Sequence, residues 1–286
     1  MRRLLGGAAA AAALVCATPA GAQDQADVPP PAAVATPVAP QQIDAAVGQL
    51  DTIAGALLAR TGVPGMAISV VHGDRLVYAK GFGVRNTTTK APVDENTVFQ
   101  LASMSKPIGA TVVARAVSRG QVAWTDLVTK DLPWFALKRP STTRQLQIAD
   151  LYSHRSGLPD HAGDDLEDLG YDRAQILRRL RYLPLTPIRS TYAYTNYGIT
   201  AAAEAVAHAT HTSWDRLSQR TLYAPLGMTS TSSRHADYVK AADRADLHVR
   251  EGTTWQPRYQ RDPDPQSPAG GVSSTVVDLA KWMRLV

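Results

Sequence analysis

Ser103-Met104-Ser105-Lys106, continuing into Pro107-Ile108-Gly109-Ala110-Thr111-Val112-Val113-Ala114-Arg115-Ala116-Val117, places a serine hydroxyl and a lysine amine three residues apart where a helical pattern begins. Apolar residues recur at helical intervals, Pro107 is tolerated in a first turn, and Gly120 is a stop signal. Ser103 is therefore expected at a helix N-terminus. There residues i and i+3 share a face, so the Lys106 amine can reach the Ser103 oxygen, while free backbone N–H groups and the helix dipole favour a developing anion. A serine hydroxyl is a weak nucleophile until a base takes its proton, and a buried lysine with a lowered pKa can be that base. The same four residues would also serve as an ordinary N-cap followed by a solvated lysine. No other lysine in the chain has a serine three positions before it.

A second element lies about ninety residues on, in Thr191-Tyr192-Ala193-Tyr194-Thr195-Asn196-Tyr197-Gly198, where a tyrosine and an amide sit in a polar loop before an alanine-rich helix. S-x-x-K followed by Y-x-N resembles the serine beta-lactamase and penicillin-binding superfamily, and within it the class C beta-lactamase-like branch of beta-lactamases, esterases and D-amino-acid peptidases. The likeness extends in order through Phe99-Gln100-Leu101-Ala102, Leu151-Tyr152-Ser153-His154-Arg155-Ser156-Gly157-Leu158-Pro159, Pro225-Leu226-Gly227-Met228-Thr229 and Ala269-Gly270-Gly271-Val272-Ser273-Ser274-Thr275. It covers residues 43–286.

The resemblance implies that Ser103 attacks a carbonyl and forms an acyl-enzyme, with Lys106 holding or shuttling its proton. Tyr194, beside a cationic lysine that lowers its pKa, would be general base and acid, Asn196 would hydrogen-bond Lys106 and the substrate amide, and the Ser103 N–H would be one oxyanion donor. It implies no metal and no cofactor, and a small-molecule or peptide substrate carrying a beta-lactam, amide or ester carbonyl. Tyr192 competes with Tyr194 for the base role, but only Tyr194 has an asparagine two positions on. His154 is implied to order its loop rather than to act as a base.

Family members carry a third triad, K-T-G or H-x-G, on a strand near the domain's C-terminal end. No K-T-G occurs here. His161-Ala162-Gly163 fits H-x-G, but it precedes the tyrosine motif and runs into Asp164-Asp165-Leu166-Glu167-Asp168, read as a solvated loop, so it is rejected as the third triad. The chain ends at Asp278-Leu279-Ala280-Lys281-Trp282-Met283-Arg284-Leu285-Val286, read as partway through an amphipathic helix. The expectation is a C-terminally truncated member whose exposed strand edge limits solubility, nearly inactive alone and active when extended through the next triad. The other-class alternative is a non-catalytic or inactive homologue, a secreted binding protein or fragment.

At the start, Arg2-Arg3, an apolar run from Leu4 to Val15 and Ala20-Gly21-Ala22 before Gln23 read as a secretory signal peptide, residues 1–22, too short to span a bilayer. The mature protein is expected in the periplasm or secreted, without a membrane span. Cys16, the only cysteine, would leave with the signal, so neither a disulfide nor a Cys-based zinc site is expected. Residues 23–42, rich in proline, alanine and valine, read as a flexible or polyproline II tether. Residues 43–286 read as one domain.

The formal charge is +5, yet arginines are scattered. Arg178-Arg179-Leu180-Arg181, the densest cluster, reads as a solvated helix face, so no nucleic-acid partner is expected. His208 and His211 read as a surface pair, and Asp160, His161, Asp164 and Asp165 as a hydrated loop, rather than metal ligands. The fold expected is an α/β (α+β) sandwich: a helix over residues 43–60, a hairpin of Met66–Val71 and Leu76–Ala79 turning through His72-Gly73-Asp74, then a mainly helical remainder with loops at 138–147, 156–170 and 228–270. By resemblance the hairpin is one side of a central antiparallel sheet, beside a helical subdomain. The oligomeric state is left open.

Overall fold

The computed structural model describes residues 38–286, so the expected signal peptide and most of the expected tether lie outside the described residues. Residues 44–286 form one compact unit; of the other, residues 1–43, the structure describes 38–43. The expected N-terminal helix is two helices, α1 (Pro40–Gly48) and α2 (Leu50–Thr61). The first starts three residues earlier than the apolar pattern, because Pro40 is preset for a helix's first turn.

Strands β1 (Gly65–His72) and β2 (Arg75–Gly83) form the expected hairpin, antiparallel with His72 opposite Arg75. Its two-residue turn has φ of 55° at Gly73 and 60° at Asp74. Positive φ at both central positions belongs to the mirror-image turn that matches strand twist, which is why Gly-Asp stands here. The helix Val276–Met283 packs on this hairpin, its first turn capped by the Thr275 side chain, which accepts from the Asp278 N–H at 3.1 Å. Two further pairs are shorter: β3 (Phe99–Gln100) with β6 (Ser273–Ser274), and β4 (Val249–Glu251) with β5 (Thr254–Gln256).

The core lies in the helical layer. Helix α3 (Ser105–Ser118) buries Ile108, Val112, Val113 and Ala116, a stripe at helical spacing. The helix Asn196–Ala209 is buried nearly all round, with Ala201, Ala202, Ala203 and Ala205 fully enclosed. Small side chains let neighbouring helices close on it from every side. The turn Ser267–Gly270 packs against both helices, and a Cβ on Gly109 of α3 would meet the Pro268 carbonyl and the Trp214 ring, each at 3.2 Å.

The expected loops are only partly loops. Residues 138–147 contain the turn Pro140–Thr143, and 228–270 contain the helix His235–Lys240, the β4–β5 hairpin and the Ser267–Gly270 turn. The acidic run is the largest departure, because it forms the short helix Asp164–Asp168 rather than a solvated loop. The Glu167 side chain, 6% exposed, accepts from Arg261 Nη2 at 2.9 Å, from the Tyr197 hydroxyl at 2.9 Å and from Gln266 Nε2. A carboxylate with that many donors can be buried; without them it would have to stay in water. Among the described residues no helix is long and apolar enough to cross a membrane.

Candidate active site

Three separate stretches of chain meet at the start of α3. Ser103 lies in a 3-10 turn, Ala102–Met104, that leads into α3, so it stands one short turn before the α-helix proper. Ala102 has φ of 47°, a left-handed conformation that costs a non-glycine residue energy and turns the chain sharply between β3 and the helix. The turn is anchored from outside: the Leu101 N–H donates to the Val272 carbonyl and the Val272 N–H to Ser105 Oγ, both at 2.9 Å. Ser103 is left exposed while Lys106, one turn on, is buried.

The Lys106 amine contacts Ser103 Oγ at 3.0 Å, Asn196 Oδ1 at 2.7 Å and the Ala269 carbonyl at 2.9 Å. Asn196 Oδ1 and Ala269 O can only accept, so two amine hydrogens are committed to them. What faces Ser103 is then the third hydrogen of an ammonium or the lone pair of a neutral amine, and one geometry serves both protonation states. Burial pushes the Lys106 pKa below its ordinary value, opposed by the hydrogen bond and charge of Tyr194 and by the Asp164 charge.

The Tyr194 hydroxyl lies 2.5 Å from Ser103 Oγ on the other side. Its ring is held by the Lys106 nitrogen, 4.5 Å from its centroid, and by the His154 ring stacked at 4.8 Å. His154 Nδ1 accepts from the buried Thr195 N–H at 3.0 Å, so the histidine secures the link between Tyr194 and Asn196. That bond requires an unprotonated Nδ1. Burial first, then the Lys106 cation, lower the His154 pKa, while Asp160 pulls it back up.

The structure therefore brings Ser103, Lys106, Tyr194 and Asn196 into one hydrogen-bonded cluster. Tyr192, the competing tyrosine, is exposed and meets His154 edge-on at 5.3 Å. Two residues set aside at the sequence level stand in the site wall. His161 bonds Asp164 through Nδ1 at 2.8 Å, and its ring centroid lies 5.4 Å from that of Tyr194. Asp164 Oδ2 accepts from Asn196 Nδ2 at 2.8 Å. A cavity of about 360 Å³ opens in front of Ser103, lined also by Gln100, His161, Asp164, Asn196, Arg261 and Gln266. The one signal that could have found His161 and Asp164 is the H-x-G match itself, which lies in the site although not on a strand. His208 is exposed in the last turn of the Asn196–Ala209 helix, and His211 is exposed in the turn beyond its end with φ of 52°, so the two do not share one helix.

The beta-lactamase family model matches residues 50–286. An unguisins hydrolase from Aspergillus violaceofuscus is 30% identical over 240 residues, 78% of this chain and 42% of that protein. Penicillin-binding protein 4 of Amycolatopsis lactamdurans is 29% identical, over 78% of this chain and 59% of its own length. A beta-lactamase of Escherichia coli is 24% identical, over 88% and 63%. The octameric penicillin-binding protein homologue from Pyrococcus abyssi superposes with a TM-score of 0.71 at 22% identity, over 84% of this chain and 56% of that one, which shows a shared fold. The chain spans under half the length of the unguisins hydrolases it matches, 42% of the one from Aspergillus violaceofuscus and 44% of a second from Aspergillus campestris.

Proposed function

The chain belongs to the beta-lactamase family of serine hydrolases, and from that premise we propose that Ser103 is the nucleophile of an acyl-enzyme mechanism acting on an amide, beta-lactam or ester carbonyl. The observation that carries this reading is the placement of Ser103 Oγ between two proton-exchanging groups, Tyr194 OH at 2.5 Å and Lys106 Nζ at 3.0 Å. Both distances are within reach of direct proton transfer.

The forward step starts with Tyr194 as phenolate and Lys106 as ammonium. The Ser103 oxygen forms a bond to the carbonyl carbon as its proton passes to the Tyr194 oxygen and the carbonyl π electrons move onto the carbonyl oxygen, the ammonium stabilising the anionic oxygens. The Ser103 N–H is a donor to the carbonyl oxygen as it becomes an oxyanion. Collapse expels the leaving group, which takes the proton from Tyr194, and leaves an ester on Ser103. A water, deprotonated by the same tyrosine, then attacks that ester, and the proton returns to Ser103. Asn196 has one role fixed by geometry, holding Lys106, and a second proposed, bonding the substrate amide from the cavity wall. The relatives' names span an unguisins hydrolase, a penicillin-binding protein and a beta-lactamase, so nitrocefin, short p-nitrophenyl esters and D-alanyl peptides form the substrate panel. Export to the periplasm or medium is proposed on Arg2-Arg3, the apolar run and Ala20-Gly21-Ala22.

A fluorophosphonate probe tests the nucleophile, because it needs an activated serine and no substrate-specific contacts. Mass spectrometry is expected to find one adduct, on the peptide carrying Ser103, and none on Ser103→Ala. An adduct on another residue, or equal labelling of the variant, overturns the assignment.

A further inference from the structure

We propose that Asp164 is a positioning residue that fixes the Asn196 amide with its oxygen toward Lys106. This rests on the reading of Ser103, Lys106, Tyr194 and Asn196 as the reacting set, and goes beyond it by adding a carboxylate that touches none of the reacting atoms.

An asparagine amide can turn over, exchanging its oxygen for its NH2 group, and only its partners decide which end faces where. Toward Lys106 the oxygen is needed, since an NH2 there would face a second donor and release one of the two anchors that aim the amine at Ser103. Asp164 settles the choice from the opposite end. Its Oδ2 is 2.8 Å from Asn196 Nδ2, and a carboxylate can only accept, so the NH2 must point to Asp164 and the oxygen to Lys106 at 2.7 Å. The chain Asp164–Asn196–Lys106–Ser103 is thus polarised in one direction.

Asp164 is itself held in place. Its Oδ2 also meets His161 Nδ1 at 2.8 Å, and the His161 N–H donates to the Tyr194 carbonyl at 2.7 Å. Residues 161–164 therefore tie Tyr194 by backbone and Asn196 by side chain in a single turn, which a glycine at position 163 with φ of 91° allows. A Cβ there would press on Ile176 at 2.9 Å and on Leu180 and Tyr197 at 3.3 Å. The other carboxylate oxygen of Asp164 makes no hydrogen bond to protein.

The charged and titratable groups around Asp164 are Lys106 from α3, Tyr194 beyond the His161 ring, His161 with Asp160 beside it, Tyr197 from the Asn196 helix, Arg261 from across the cavity and Glu167 on its own turn. Of these, Lys106 and Tyr194 reach Ser103, and Lys106 is the one whose pKa the Asp164 charge raises. Removing the Asp164 charge therefore withdraws one influence that raises the Lys106 pKa, whereas removing the whole side chain also frees the amide to turn.

The test is the rate of fluorophosphonate labelling as a function of pH for the full chain and for Asp164→Ala, Asp164→Asn and Ser103→Ala. Asp164→Ala is expected to slow labelling about 10- to 100-fold, the effect of a misplaced catalytic group. Asp164→Asn keeps an amide oxygen for Asn196 and is expected to restore most of that rate, with the limb that reports Lys106 moved to lower pH. Asp164→Ala labelling at the wild-type rate, Asp164→Asn as slow as Asp164→Ala, or an Asp164→Asn profile superimposable on wild type each overturns the proposal. If Asp164→Ala does not fold, the rate and profile of Asp164→Asn decide alone. Labelling that persists in Ser103→Ala is a failure of the nucleophile assignment instead, so the two ideas fail separately.

Discussion

Tyr194→Phe separates the two groups that could take the proton of Ser103. The change removes one oxygen, 2.5 Å from Ser103 Oγ, and leaves the ring, its stack on His154 at 4.8 Å and the Lys106 nitrogen over its face at 4.5 Å. Those contacts keep the Tyr194–Asn196 segment in place, so the loss reads the hydroxyl and not the loop. A positioned general base contributes about 100- to 10,000-fold, or about 3–5 kcal/mol of activation free energy. Lys106 still contacts Ser103 at 3.0 Å, and with two hydrogens on Asn196 and Ala269 its neutral form directs a lone pair at the serine. The residual base places the expected loss near the lower end, about 100-fold, and steepens the dependence on pH, because only neutral Lys106 can act. The assay is the labelling rate by fluorophosphonate from pH 5 to 10, with melting followed by tryptophan fluorescence. Labelling by Tyr194→Phe at the wild-type rate across the whole range, with an unchanged melt, would refute the base assignment to Tyr194 and leave Lys106 in that role.

Two further predictions concern stability. Gly109→Val drives a branched side chain into the Pro268 carbonyl and the Trp214 ring, already 3.2 Å from where a bare Cβ would stand; an overpacking cost of about 1–3 kcal/mol is expected, measured by chemical denaturation, and an unchanged midpoint would show that α3 and the Ser267–Gly270 turn can separate freely. His154 has its pKa held below the ordinary 6.5 by burial and by Lys106, so between the folded and unfolded values the unfolded chain binds the proton first. Its contribution is complete above about pH 6.5 and is lost as pH falls through the folded value. Wild type should therefore lose more stability than His154→Gln between pH 7 and 5, and parallel curves would contradict the bond from Thr195 N–H to Nδ1.

What was legible in the sequence is what local chemistry determines. The β1–β2 hairpin was readable because Gly73-Asp74 supplies two residues suited to positive φ between apolar runs. Ser103 with Lys106, and Tyr194 with Asn196, were readable because each pair is close in sequence and drawn from a small chemical repertoire. The acidic run was misread for the opposite reason. In sequence, Asp164-Asp165-Leu166-Glu167-Asp168 has His161 as its one near basic neighbour, and such runs are usually solvated. Its partners, Arg261, Gln266 and Asn196, arrive from 32 to 99 residues away, and nothing local announces them.

The same asymmetry explains how the site is assembled. The i, i+3 spacing from the 3-10 turn into α3 places Lys106 near Ser103 but does not set which way the amine points. Its direction comes from Asn196 Oδ1 and the Ala269 carbonyl, 90 and 163 residues away, delivered by a buried alanine-rich helix and by a turn packed against both helices. Reactivity in this cluster therefore depends on how closely α3, the Asn196 helix and the Ser267–Gly270 turn approach one another. Gly109 and the run of alanines permit that approach, and Asp164 holds the amide that joins two of the three. A change far from Ser103 that separates these elements by a fraction of an ångström should weaken the serine before it unfolds the chain, since hydrogen bonds at 2.7 to 3.0 Å lose strength with small displacements.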